Sequence, residues 1–112
     1  TAVLGEMISV PNSKGCVGIS HAAKAVVHST VIKGVFNTAQ ALTNATNHLS
    51  KGDVILIELQ ATGPNNKYVA MQYWSDVFSA IVAATAKGIT VVEAAGNGNE
   101  NFDLPIFNNY SS

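Results

Sequence analysis

Charge is scarce in this sequence. Only 12% of its 112 residues are charged, where an ordinary globular domain carries about 25%. A net charge of −1 leaves no electrostatic footprint for nucleic acid or for an anionic membrane surface. Amides, hydroxyls and alanine take the place of the missing charges, a composition that suits many secreted proteins. Cysteine is nearly lacking too. Cys16 is alone, which excludes an intrachain disulfide and a cysteine zinc cluster. No apolar run approaches the ~20 residues that span a bilayer. No basic stretch precedes an apolar one as in a signal peptide. Internal repeats and low-complexity segments are also missing.

What remains is a chain of one domain and one modest core, with 47% hydrophobic residues. Residues 1–10 read as a short helix stopped by Pro11, and residues 11–15 as a turn in which Gly15 takes positive φ. Residues 25–32 carry β-branched side chains at 26, 27, 30, 31 and 32, which predicts a strand. Asn37 or Thr38 caps a helix with Ala41, Leu42, Ala45 and Leu49 at helical spacing, ended by Lys51 and Gly52. Residues 54–59 are apolar on both faces, as in a central parallel strand covered by helices on both sides. A Gly-, Pro- and Asn-rich loop over 61–67 leads to a predicted helix over 68–87. There Trp74, Val77, Phe78, Ile81, Val82 and Ala84 recur near a period of 3.6 before Gly88 closes the element. Residues 89–94 form the third predicted strand, and the chain after Gly98 reads as irregular.

Strands alternating with helices predict an α/β fold, with a parallel, doubly wound sheet and right-handed crossovers. Ligands gather beyond the carboxyl ends of such strands, which here are residues 58–61 and 94–98. The second of these ends in Gly96-Asn97-Gly98. Asn and Gly both accept left-handed backbone, so this string can simply turn the chain. It can also hold an amide at a strand tip as a hydrogen-bond donor into a cleft, the geometry of an oxyanion hole.

The other chemistry-bearing residues form no constellation. His21, His28 and His48 lack metal-ligand spacing and read as structural. Glu93 reads as a satisfied polar group at the end of a buried strand and Glu6 as a helix-surface charge, against paired-carboxylate chemistry. Gly96 to Asn99 lacks both the spacing and the following helix of a dinucleotide loop. Asn44-Ala45-Thr46 and Asn109-Tyr110-Ser111 fit the N-glycosylation pattern, which Asn-rich chains often match by chance.

The string Val91-Val92-Glu93-Ala94-Ala95-Gly96-Asn97-Gly98 resembles the asparagine motif of the subtilisin-like serine peptidases, the subtilases. Thr1-Ala2-Val3-Leu4-Gly5 is similar to the family's Gly-Thr-(His or Ser)-Val-Ala-Gly, which continues the helix begun by the catalytic histidine; Thr1, Val3 and Gly5 match. Gly15-Cys16-Val17-Gly18-Ile19 resembles the family's Gly-Val-x-Gly-Val. Gly52 to Gln60 lies where subtilases carry a strand ending in Ser-Leu-Gly. Here Glu58 replaces the serine, Leu59 is kept and Gln60 replaces the glycine. The correspondence holds in order from residue 1 to about residue 98.

The resemblance implies that residues 1–112 are part of a subtilisin-like catalytic domain, with an irregular tail over 99–112. The implied reaction is peptide-bond hydrolysis through an acyl-enzyme. Asn97 would be the oxyanion donor, and Ala94, Ala95 and Gly96 one wall of the pocket for the side chain before the scissile bond. Glu58, Leu59 and Gln60 would be the strand that pairs with substrate; a Glu58 facing the cleft would favour a basic substrate side chain. The Asp and His of the triad would lie upstream and the Ser downstream, since no histidine stands where the family has its base and no Gly-Thr-Ser string occurs. Implied partners are a peptide or protein substrate and the remainder of the catalytic domain, not nucleic acid or membrane. No cofactor is expected. Asn12 matches a calcium-loop asparagine of some subtilases, whose other ligands would again lie upstream. The isolated 112 residues are expected to be inactive and, with an open sheet edge, to self-associate. The alternative reading is a non-catalytic α/β binding or scaffold module that uses the same strand-end crevice.

Overall fold

The computed structural model describes residues 2–107. In chain order the elements are α1 (Ala2–Ile8), β1 (Val31–Ile32), β2 (Val35–Phe36), α2 (Thr38–His48), β3 (Val54–Ile57), β4 (Gln60–Thr62), β5 (Tyr68–Ala70), α3 (Ser75–Ala86) and β6 (Thr90–Glu93). Short 3₁₀ turns occupy Pro64–Asn66, Met71–Tyr73 and Pro105–Phe107.

The helices start and stop where local chemistry directs. Asn37 caps α2, its side-chain oxygen accepting from the Gln40 N–H at 2.9 Å, which satisfies one of the donors a helix start leaves unpaired. Thr38, Ala41, Leu42 and Ala45 form the buried face of α2, while Val77, Ile81 and Ala84 form that of α3. Beyond α3, Gly88 takes a φ of +83° and the Ile89 N–H reaches back to the Ala84 carbonyl at 3.2 Å. That pairing is a Schellman closure, which favours glycine. Helix α1 ends short of Pro11, and Gly15 has the expected positive φ of 68°.

Strands β3 and β6 pair in parallel, with Val54 opposite Thr90 and Ile57 opposite Glu93. Alternation along the strands turns Ile55, Ile57, Val91 and Glu93 to one face. The buried sides of α2 and α3 meet Ile55 and Ile57 there, in a core that also takes in Val69, Met71 and Phe107. The other face is bare: Val54 is 60% exposed and Val92 48%. The described residues therefore form a mixed α/β arrangement around one parallel strand pair, flanked by the hairpins β1–β2 and β4–β5.

Three expectations need correction. Residues 25–30 form no strand; only Val31–Ile32 is extended and paired, in the small hairpin with Val35–Phe36. A β-branched run favours strand only when a neighbour takes its backbone bonds, and Val26 and Val27 stand 75% and 68% exposed. The predicted helix over 68–87 is shorter. Its first residues are β5 and the 3₁₀ turn, because Val69 pairs with Ala61 across a hairpin instead of facing the helix axis. Finally, the run 54–59 is covered on one face and not two, and β3 stops at Ile57. Within the described part of the tail, read as irregular, only Pro105–Phe107 takes up regular structure, a 3₁₀ turn that buries Phe107 edge-on against Tyr73 and Phe102.

Candidate functional site at the strand ends

Beyond Ile57 the chain turns through Glu58 and Leu59 into β4, which pairs antiparallel with β5, Gln60 opposite Ala70 and Thr62 opposite Tyr68. Beyond β6 the Ala94 N–H donates to the Ile57 carbonyl at 3.1 Å, which extends the parallel ladder by one residue. The chain then breaks at Gly96, whose φ is +89°, and bends at Asn97 and Gly98.

This loop lies directly on β5. A β-carbon at Gly96 would stand 2.7 Å from the Val69 backbone, and one at Gly98 would overlap the Tyr68 carbonyl oxygen. The two segments pack backbone on backbone, which only glycine permits. Two side-chain contacts fasten the arrangement. Gln60 accepts a hydrogen bond from the Asn97 N–H through its side-chain oxygen at 3.0 Å. Lys67, at the hairpin turn, pairs with Glu100 at 2.7 Å, and the Glu100 side chain is only 8% exposed.

The structure thus brings Gln60 and Asn97 into direct contact. Asn97 is exposed, and its side-chain amide bonds to no described residue. Ala94 and Gly96 are half-buried, while Ala95 and Glu58 are exposed. Glu58 forms no ion pair among the described residues. Leu59 packs against the core and anchors the turn. Val69, fully buried, was not among the expected site residues, nor were Tyr68, Lys67 and Glu100. A hairpin signal was present: a Gly-Pro-Asn-Asn turn ahead of Tyr68-Val69.

Glu93 sits at the end of β6 on the helix side. Its carboxylate accepts from the Gln72 N–H at 3.3 Å. Burial raises its pKa above the ordinary glutamate range, partly offset by the backbone N–H groups of Gln72 and Met71. The expectation of a satisfied polar group at the strand end is met. Beside it a cleft of about 300 Å³ opens between Phe78, Ile81 and Val82 of α3 and Val91 of β6. A carboxyl whose folded pKa is raised contributes stability that is complete below its unfolded pKa and lost as pH rises through the folded one. Glu93→Gln keeps the acceptor for Gln72 and removes the charge. It should raise the urea midpoint near pH 7 and leave it almost unchanged near pH 4; a variant no more stable at neutral pH would contradict the burial argument.

The remaining candidates lie apart. His21 approaches the Gly18 carbonyl at 3.3 Å. His28, expected within a strand, lies outside any strand and stacks on His48 with ring centroids 5.4 Å apart. Asn12 uses its side-chain oxygen to accept from the Lys14 N–H at 2.8 Å. Among the described residues no group of three or more His, Cys, Asp or Glu side chains could hold a metal ion, and no helix is long and apolar enough to cross a membrane. Asn44 lies inside α2, where it accepts from Gln40 at 3.0 Å, a poor setting for glycosylation. Asn109 and Thr1 lie outside the described residues. Compared with known proteins, the chain matches no protein-family model, no curated protein and no solved structure.

Proposed function

We propose that this chain is the oxyanion and substrate-cleft portion of a subtilisin-like serine endopeptidase, a segment of a larger doubly wound parallel sheet. The observation that carries this reading is the Asn97 loop. It follows a parallel strand, is broken by glycines, is tied to Gln60 through its backbone, and leaves its side-chain amide exposed and unbonded. An oxyanion donor needs that combination: a backbone held in place and an amide with no competing acceptor. In the resemblance that motivates this reading, Gln60 replaces a glycine. Here its side chain gives a reason for the difference, since it accepts a bond from the loop that glycine could not.

The exposed face of β3 and β6 also fits this reading. Val54, Leu56 and Val92 form a surface that the remainder of a catalytic domain would cover. In this proposal Asn97 polarises the scissile carbonyl, Ala94 to Gly96 line the adjoining pocket, and Glu58 to Gln60 border the bound peptide. The attacking serine, its histidine base and the orienting aspartate come from outside these residues. A second reading, an α/β binding or scaffold module, draws on the β4–β5 hairpin, which follows the end of β3 and is anchored in the core by the fully buried Val69.

A fluorophosphonate probe, which labels activated serines, distinguishes the parts of this proposal. The 112 residues alone should remain unlabelled. The longer protein encoded around them should label stoichiometrically at a downstream Gly-Thr-Ser motif. Labelling of the isolated chain would overturn the segment reading. A longer protein with neither label nor motif would favour the binding module.

A further inference from the structure

We propose that Asn97-Gly98 is a self-modification site, at which Asn97 deamidates through a cyclic imide formed by the backbone nitrogen of Gly98. The Gly98 nitrogen attacks the Asn97 side-chain carbonyl carbon. The new C–N bond closes a five-membered ring, the bond to the side-chain nitrogen breaks, and ammonia leaves with the proton from the Gly98 amide. Water then opens the ring at either carbonyl, giving aspartate or isoaspartate.

Three observations single out this position. The first is that Asn97-Gly98 is the only Asn-Gly pair in the sequence; every other asparagine is followed by a residue whose side chain crowds the attacking nitrogen. A second is that the Asn97 amide is exposed and unbonded. By contrast, the side-chain oxygens of Asn12, Asn37, Asn44 and Asn101 are each held as acceptors from a neighbour. Asn97 also sits in a bend outside helix and strand, where the backbone rotation needed for ring closure does not break a ladder.

The fold itself imposes the susceptible pair. A side chain at residue 98 would overlap the Tyr68 carbonyl, so the asparagine of this loop must be followed by glycine. The packing that seats the amide at the strand end therefore also removes the steric shield that would protect it. The chemistry does not depend on the peptidase reading. Its consequence does: deamidation would exchange a hydrogen-bond donor for a carboxylate that repels a developing oxyanion, an inactivation built into the loop.

The test incubates the folded chain at 37 °C in mildly alkaline buffer, with peptide mapping by mass spectrometry over time. The amide-to-acid mass shift should appear first on the peptide containing Asn97, with an isoaspartate fraction, and should vanish from that peptide in Asn97→Gln, whose imide would need a six-membered ring. Conversion at Asn12 or Asn66 ahead of Asn97 would overturn the proposal, as would a shift that survives Asn97→Gln. If the longer protein deamidates at Asn97 yet keeps its kcat, the modification stands and the oxyanion role falls.

Discussion

Asn97→Ala, introduced into the longer peptidase proposed above, should lower kcat by about 10²–10³ and leave KM nearly unchanged, a loss of about 3–4 kcal/mol of transition-state stabilisation. The side chain has no structural bond to lose, because no described residue contacts its amide by hydrogen bonding. The Gln60 contact is to the backbone N–H and survives the substitution. The change therefore removes a donor without displacing the loop, and its effect should appear in the step where charge develops. Steady-state kinetics on a chromogenic peptide would read this directly. A raised KM at constant kcat would make Asn97 a ground-state binding residue, and unchanged constants would remove it from the chemistry.

The second large effect concerns stability and needs only the chain itself. Gly98→Ala should destabilise by about 3 kcal/mol, the upper end of what overpacking costs. The added carbon meets the Tyr68 backbone, so no flexible side chain can move aside. The loop would have to lift from β5, straining the Gln60–Asn97 hydrogen bond and the Lys67–Glu100 pair that flank it. Gly34→Ala is the comparison. Gly34, unlike Gly98, adopts a positive φ, +80°, and has no atom near its would-be β-carbon, so only the conformational penalty of about 1–2 kcal/mol applies. Urea midpoints of the two variants separate steric from conformational cost. If Gly98→Ala is no worse than Gly34→Ala, the backbone-on-backbone contact is not holding the site.

Much of the fold's skeleton was legible in sequence because the relevant forces are local. Asn37 and Gly88 mark helix ends through hydrogen bonds to residues within a few positions, and the α2 and α3 stripes follow the helical period. The parallel pairing of residues 54–57 with 90–93 follows from two apolar runs separated by a helix. Residues 25–32 misled because strand propensity is realised only with a partner, and here just Val31 and Ile32 find one. Residues 68–70 misled for the opposite reason: an apolar stretch abutting a helix shares its pattern, while the cross-strand partner at 60–62 decides its state. In the candidate site, Asn97 stood out by its glycines. The role of Gln60 did not, since a half-buried amide reaching another loop's backbone leaves no periodic trace.

The way the Asn97 loop is seated has a consequence in time. The β4–β5 hairpin and helix α3 involve neighbours in sequence, so they can form early. The β3–β6 pairing must wait for α3 to carry the chain across and close a long segment. Only then are Gly96 and Gly98 delivered against β5, which must already be in place to receive them. The loop that presents Asn97 thus cannot be seated before the β3–β6 pairing that delivers it, and any local opening that parts β6 from β3 should unseat the Asn97 amide as well.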